Sequence, residues 1–137
     1  MVSYELSHEV VSCVEAALAK GIALENELKT LIIAVGSRRF ALHVPGDKRA
    51  SLRKVKTFLN AEQAFLLSRV ELEDMGLMPG TVSPVIEPVW SLPHLISAAV
   101  LELAFVSTNS GTRSQFFVFD PKVLLQARST SIGDFEA

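Results

Sequence analysis

Apolar and polar positions along this chain switch between a helical and a strand period, and the switches mark its elements. Ser12-Cys13-Val14-Glu15 has capping-box spacing, in which the serine hydroxyl accepts from the third amide and the glutamate reaches back. The helix it opens is expected to turn Val14, Ala17 and Leu18 inward and to end at Gly21, which suits a left-handed C-cap. A short turn over residues 24–27 leads into Leu28-Lys29-Thr30-Leu31-Ile32-Ile33-Ala34-Val35, whose β-branched content predicts a strand. Gly36-Ser37-Arg38-Arg39 reads as a hairpin turn, residues 40–44 as the returning strand, and Pro45-Gly46-Asp47 as its end.

Residues 51–59 are helical by period, with Leu52, Val55, Phe58 and Leu59 on one face and basic residues on the other. A short strand is expected over 64–67. Ser68 and Glu71 repeat the capping-box spacing and open a short helix ending near Gly76. Residues 77–89 hold three of the six prolines and Gly80, and so read as a long irregular loop. Residues 95–106 are too apolar for their period to decide; a strand is assigned to 100–106. Asn109-Ser110-Gly111-Thr112 turns it, and 115–119 returns. Asp120-Pro121 joins an N-cap to a proline at the first helical position, opening a helix to about Ala127. Arg128 to Ala137 is polar, and residues 129–137 read as a frayed tail. Hairpins impose antiparallel pairing, so the fold class is mixed α/β (α+β), with a largely antiparallel sheet flanked by helices rather than a doubly wound one.

At 137 residues and 49% hydrophobic composition the chain fits a single domain, 1–137, with a core of its own. Its one cysteine excludes an internal disulfide framework and a multi-cysteine zinc site. The formal net charge of −2 argues against broad coating of nucleic acid, so any such contact must be local. Residues 1–10 carry acids and no apolar core segment, and no run approaches a membrane span; a soluble cytoplasmic protein without a membrane partner is expected.

The usual catalytic motifs are missing: there is no nucleophile elbow, P-loop, dinucleotide fingerprint or zincin helix. His8, His43 and His94 lack ligand spacing, so no metal or other cofactor is expected, and Cys13 reads as a small core hydrophobe rather than a nucleophile. Two features stand out. Lys29 lies at the start of an otherwise apolar strand, where it must either snorkel to the edge or meet an anion. Met78-Pro79-Gly80-Thr81-Val82-Ser83-Pro84 is either an ordinary proline-bounded loop or a tight bend whose amides point at an oxyanion or carbonyl.

In this order the motifs resemble the YbaK/ProX family, free-standing relatives of the editing domain inserted in bacterial prolyl-tRNA synthetases. The resemblance runs from about Ser7 to Ala127. It is carried by Ser7-His8-Glu9, Ser12 and Glu15-Ala16-Ala17, then Leu28-Lys29-Thr30-Leu31 and Val44-Pro45-Gly46-Asp47-Lys48-Arg49. Pro79-Gly80-Thr81-Val82-Ser83-Pro84 and the stretch from Gly111 to Ala127 complete it. The resemblance implies a barrel-like mixed sheet and hydrolysis of the ester between a wrong amino acid and the tRNA 3′ end. It assigns catalysis to Lys29 and to Gly80, Thr81, Val82, Ser83 and Pro84, without metal or side-chain nucleophile. Substrate contacts fall on His8, Ser107 and Gly111.

Three departures bear on this. Thr81 stands where relatives usually carry a second glycine, the Ser107 turn is poorer in glycine, and the N-terminal helix and strand of many relatives are expected to be short or missing. Lys48, Arg49, Arg53, Lys54 and Lys56 crowd five basic residues into nine positions; Lys48, Arg49, Arg53 and Lys56 are candidates for the tRNA backbone, against the alternative of a solvated helix face. The expected partners are mischarged tRNA and a synthetase that delivers it. The competing function is an inactive binding module of the same fold.

Overall fold

The structure, a computed structural model, describes residues 1–10 and 12–137. In chain order its elements are β1 (Val2–Glu5), α1 (Cys13–Lys20), β2 (Leu28–Val35), β3 (Arg38–Pro45), α2 (Leu52–Leu59), β4 (Phe65–Leu66), α3 (Arg69–Asp74), β5 (His94–Ser97), α4 (Ala98–Leu101), β6 (Val106–Asn109), β7 (Gln115–Phe119) and β8 (Thr130–Gly133), with 3₁₀ turns at Leu24–Asn26 and Pro121–Gln126.

The strands form two sheets, in the orders β1-β7-β6 and β4-β2-β3-β5-β8. The smaller is antiparallel throughout; the larger is antiparallel around β2 but parallel across β3-β5 and β5-β8. Neither sheet closes into a barrel, which corrects the expected shape; among the described residues a bridge between Glu27 and Ser107 joins them. The tight β2–β3 hairpin puts Val35 opposite Arg38, so Arg38 and Arg39 lie in the strand rather than the turn.

Because side chains alternate along a strand, β2 serves two cores. Ile33 joins Phe40, Leu42 and Val44 beneath Val55 of α2, whereas Ile32 packs with Ala41, Leu67 and Val89. A third cluster, including Leu28, Ile96, Val106 and Phe119, fills the space toward the small sheet. β4 pairs only with Ile33 and Ala34, so among the described residues the first half of β2 has no strand on its outer side. That open edge positions the site.

Several expectations need correction. The strand assigned to 100–106 does not form: the buried strand is β5, the chain then turns through α4, and Val106 begins a new strand. A largely apolar stretch hides this because β5, with neighbours on both sides and buried throughout, has no period to show. The tail is not frayed. β8 pairs in parallel with β5, Phe135 is fully buried, and its carbonyl accepts from Ser51 N–H at 2.7 Å. An edge strand is held by its backbone, so its side chains can remain polar. The N-terminal strand is present as β1, paired with β7, and Tyr4 stacks on Phe116 with centroids 5.2 Å apart. In α1, Ser12 caps Glu15 N–H and Gly21 ends the helix as expected, but Val14 and Leu18 are 56% and 79% exposed. Ala17 faces inward as expected, joined by Ala16: their small side chains let α1 approach closely, and Lys20 on the same stripe pairs with Glu27. The segment after Asp120 is 3₁₀ rather than α-helical. Among the described residues, no helix is long and apolar enough to cross a membrane.

Candidate functional site

A cavity of about 370 Å³ opens beside the unpaired edge of β2. From β2, Lys29 and Thr30 line it; Pro79, Gly80 and Val82 face it from the long loop, and Cys13 from α1.

Lys29 is half-buried, and its ammonium donates to the Lys48 carbonyl at 2.7 Å. An ammonium has three donors, so two remain. Among the described residues, no carboxylate lies within ion-pair distance of it. The side chain neither simply snorkels nor finds an internal anion: one carbonyl anchors it beside the cavity. The anchor depends on Gly46. A Cβ there would lie 2.6 Å from the Leu24 carbonyl oxygen and 2.7 Å from that of Glu27, so only glycine lets the chain leaving β3 press against the segment entering β2.

The opposite wall is a built turn. Gly80 has φ +84°, and the Met78 carbonyl accepts from Thr81 N–H at 3.0 Å, so Pro79-Gly80 occupy the centre of a turn of type II character. The Thr81 hydroxyl donates to the same carbonyl at 2.7 Å. Thr81 is therefore accommodated where a second glycine was expected, and it closes the turn. The β6–β7 hairpin pins this loop from outside: Asn109 Nδ2 donates to the Val82 carbonyl at 3.2 Å, and the Arg113 guanidinium to that of Pro79 at 3.1 Å. Both residues line the cavity. Of the five loop positions singled out in the sequence, Gly80 and Val82 face the cavity. Thr81, Ser83 and Pro84 are buried outside its lining, and the Thr81 amide, expected to point inward, is committed to Met78.

Beside it lies a buried polar cluster. The Lys20 ammonium sits 2.8 Å from a Glu27 carboxylate oxygen, donates to Ser107 Oγ at 2.8 Å and lies 4.4 Å from the Phe116 ring centre. Both side chains of the ion pair are at most 5% exposed. Burial pushes the Glu27 carboxyl above its ordinary value, against the pull of Lys20. Ser107, expected at the pocket, is fully buried in this cluster and does not line the main cavity. Cys13 is half-buried and lines the cavity instead of the core. Burial pushes its thiol up, opposed by the nearby Lys29 charge, so it stays protonated at neutral pH.

The remaining sequence candidates fall elsewhere. His8 is exposed, 3.3 Å from Ser7 Oγ, and outside the lining. Gly111 is also outside, but its N–H donates to Asn109 Oδ1 at 3.0 Å and so shapes the turn that carries Asn109. Lys48, Arg49 and Arg53 are exposed and Lys56 half-buried; Lys54 is paired with Asp134 at 2.7 Å. Lys48 ties the start of this cluster to Lys29.

Sequence reasoning missed Asn109, Arg113, Lys20 and Glu27, whose roles arise from contacts across the chain. It also read the histidines as separate, whereas His43 Nε2 lies 2.7 Å from His94 Nδ1. Among the described residues, no group of three His, Cys, Asp or Glu could hold a metal ion.

Residues 7–127 match the family model of the aminoacyl-tRNA editing domain. No curated protein sequence matches the chain. Among solved structures, the hypothetical protein APE2540 superposes with a TM-score of 0.89 at 22% identity, covering 99% of this chain and 91% of its own. A candidate trans-editing enzyme for prolyl-tRNA synthetase gives 0.88 at 24% identity, covering 98% and 85%. A proposed signal transduction protein from Marinobacter aquaeolei VT8 gives 0.69 at 15% identity, covering 91% of this chain but 30% of that longer one.

Proposed function

The chain belongs to the aminoacyl-tRNA editing domain family, and from that premise we propose that it is a trans-editing hydrolase acting in the cytoplasm on the ester of mischarged aminoacyl-tRNA. The observation that carries the reading is the pairing of an uncompensated ammonium, Lys29, with a rigid turn across one cavity. Lys29 meets the phosphate or ribose of the terminal adenosine as a point charge. Gly80 and Val82 present backbone amides to the ester carbonyl, where negative charge develops. Water attacks that carbon; attack by the neighbouring ribose hydroxyl would only move the acyl group between the two ribose oxygens, and the ester so formed must still be cleaved by water. The bond from the acyl carbon to the ribose oxygen breaks, and with water consumed the products are a free amino acid and a tRNA with both ribose hydroxyls restored.

An aminoacyl ester is already activated, so orientation and charge stabilisation suffice without a side-chain nucleophile. Cys13, a protonated thiol, is not needed as one. The competing binding-module reading drew on a shortened N-terminus and on Thr81; β1 forms, and Thr81 closes the turn rather than distorting it. Lys48, Arg49, Arg53 and Lys56 give the acceptor stem a short basic approach to Lys29, and the small footprint leaves room for a synthetase to deliver the substrate.

The test is deacylation of a panel of mischarged tRNAs by wild type and Lys29→Ala. The expected result is rapid loss of one charged species, slowed about 100-fold or more in the variant, with unfolding unchanged. Full activity of the variant on that species overturns the role of Lys29; no turnover of any species overturns the hydrolase.

A further inference from the structure

A chain of hydrogen bonds runs from the cavity into the large sheet. Thr30 lines the cavity, and its Oγ1 lies 2.9 Å from Nδ1 of His43, its partner across the β2–β3 ladder. His43 Nε2 lies 2.7 Å from His94 Nδ1 on the adjacent strand β5, with the two rings stacked at 5.0 Å. His94 Nε2 lies 3.0 Å from the Trp90 carbonyl oxygen, and the Trp90 ring meets His94 edge-on at 5.7 Å. Both imidazoles are buried, at 0% and 1% exposure.

The direction of every proton in this chain follows by elimination. A carbonyl oxygen only accepts, so His94 carries its proton on Nε2. Burial holds both rings neutral, with the mutual proximity of the two rings adding to the effect at His43. A neutral His94 then has only a lone pair at Nδ1, which obliges His43 to donate from Nε2. That leaves His43 Nδ1 as an acceptor, and Thr30 must give it the hydroxyl proton.

We infer that the His43–His94 pair makes Thr30 an acceptor-only group at the cavity: its one proton points into the protein, and its lone pairs await an O–H or N–H donor from the substrate or the attacking water. The inference rests on the reading of this cavity as an ester-hydrolysing site. His43 and His94 are positioning residues, acting through Thr30. They do not relay a proton outward, because the chain ends on a carbonyl that cannot take one, and a second proton on His43 would create a buried cation with no carboxylate among its hydrogen-bonding partners. Thr30 orients its donor and does not deprotonate it.

Long-range ¹H–¹⁵N spectra of the imidazoles in the intact protein test the polarity directly. Both rings are expected neutral at pH 7 with the proton on Nε2; a proton on His43 Nδ1 or a charged ring overturns the inference. This readout is independent of any substrate, so it stands or falls apart from the hydrolase reading. Kinetics on whichever aminoacyl-tRNA the wild type hydrolyses test the consequence. Thr30→Val is expected to lower kcat/KM about tenfold, and Thr30→Ser to restore most of it. His43→Leu is expected to slow the wild type but to add nothing in the Thr30→Val background, since residues acting through one group are non-additive. Wild-type rates for Thr30→Val, or equal losses from His43→Leu in both backgrounds, overturn it. Should His43→Leu not fold, the Thr30 variants and the spectra still decide.

Discussion

Replacing Lys20 by methionine tests how much of the molecule rests on one buried charge pair. Its ammonium lies 2.8 Å from a Glu27 carboxylate oxygen, with both side chains at most 5% exposed. At that distance the attraction is about 6 kcal/mol for an effective dielectric constant of 20. Desolvation costs several kcal/mol for each ion, so the intact pair is close to neutral for stability. Removing one partner is a different matter: Glu27 keeps its desolvation cost and loses the attraction, a penalty of about 3–5 kcal/mol. Urea unfolding should then show the midpoint falling by about 2 M, taking an m-value near 2 kcal/mol/M.

The loss should also depend on pH, and the sign can be worked out. Burial already raises the Glu27 carboxyl in the wild type while Lys20 pulls it down; without Lys20 it rises further. The folded variant therefore binds a proton that the unfolded chain has released, over the range above the ordinary glutamate value. Its stability falls as pH rises through that range, so the gap to wild type widens toward neutral pH and narrows toward pH 5. Converting both residues, Lys20→Met with Glu27→Leu, should recover most of the loss because no charge is left buried. A single variant within about 1 kcal/mol of wild type, a pH-independent gap, or a double variant no better than the single refutes the reasoning.

Two further experiments probe features the sequence concealed or left open. Phe135→Ala, which empties a fully buried site packed edge-on against Phe58, should cost about 3–5 kcal/mol in denaturant unfolding; no change would mean the C-terminal segment is not part of the core. Charge reversal at Arg53 and Lys56 should weaken tRNA binding and flatten the plot of log affinity against log salt by about 0.7–0.9 for each phosphate no longer neutralised, while an unchanged slope would leave the patch as ordinary surface.

The candidate site exists because β4 is short. Its two residues cover β2 only at Ile33 and Ala34, which leaves the edge around Lys29 and Thr30 open to the Pro79-Gly80 turn and the β6–β7 hairpin. The turn then needs outside support, supplied by Asn109 and Arg113 through two backbone carbonyls. Lys29, Thr30, Asn109 and Arg113 in the lining are thus each held by a hydrogen bond before any substrate arrives, the preorganisation that charge stabilisation in a transition state requires.

What the sequence determined by itself was local. Ser12, Ser51 and Ser68 cap the helices that follow them, the β2–β3 hairpin forms where its β-branched run and glycine turn place it, and Pro79-Gly80 makes its bend. Each is decided within a few residues by dihedral preference and hydrogen bonds to the nearest backbone groups. Lys29 and the glycine loop were legible for the same reason: a charge in an apolar strand and a proline-bounded turn are visible without their surroundings. Only the tertiary structure decided which polar residues are buried. Lys20 ends a helix with nothing in its own sequence neighbourhood to mark it as buried, and Glu27 and Ser107 give it partners. His43 and His94 are 51 residues apart in sequence, joined only because β5 lies parallel to β3. The polar strand β8 gained its place from backbone pairing that no side-chain pattern reports. A buried polar group is stable only with a partner, and the chain names the group in one place and the partner in another, so folding alone brings the two into register.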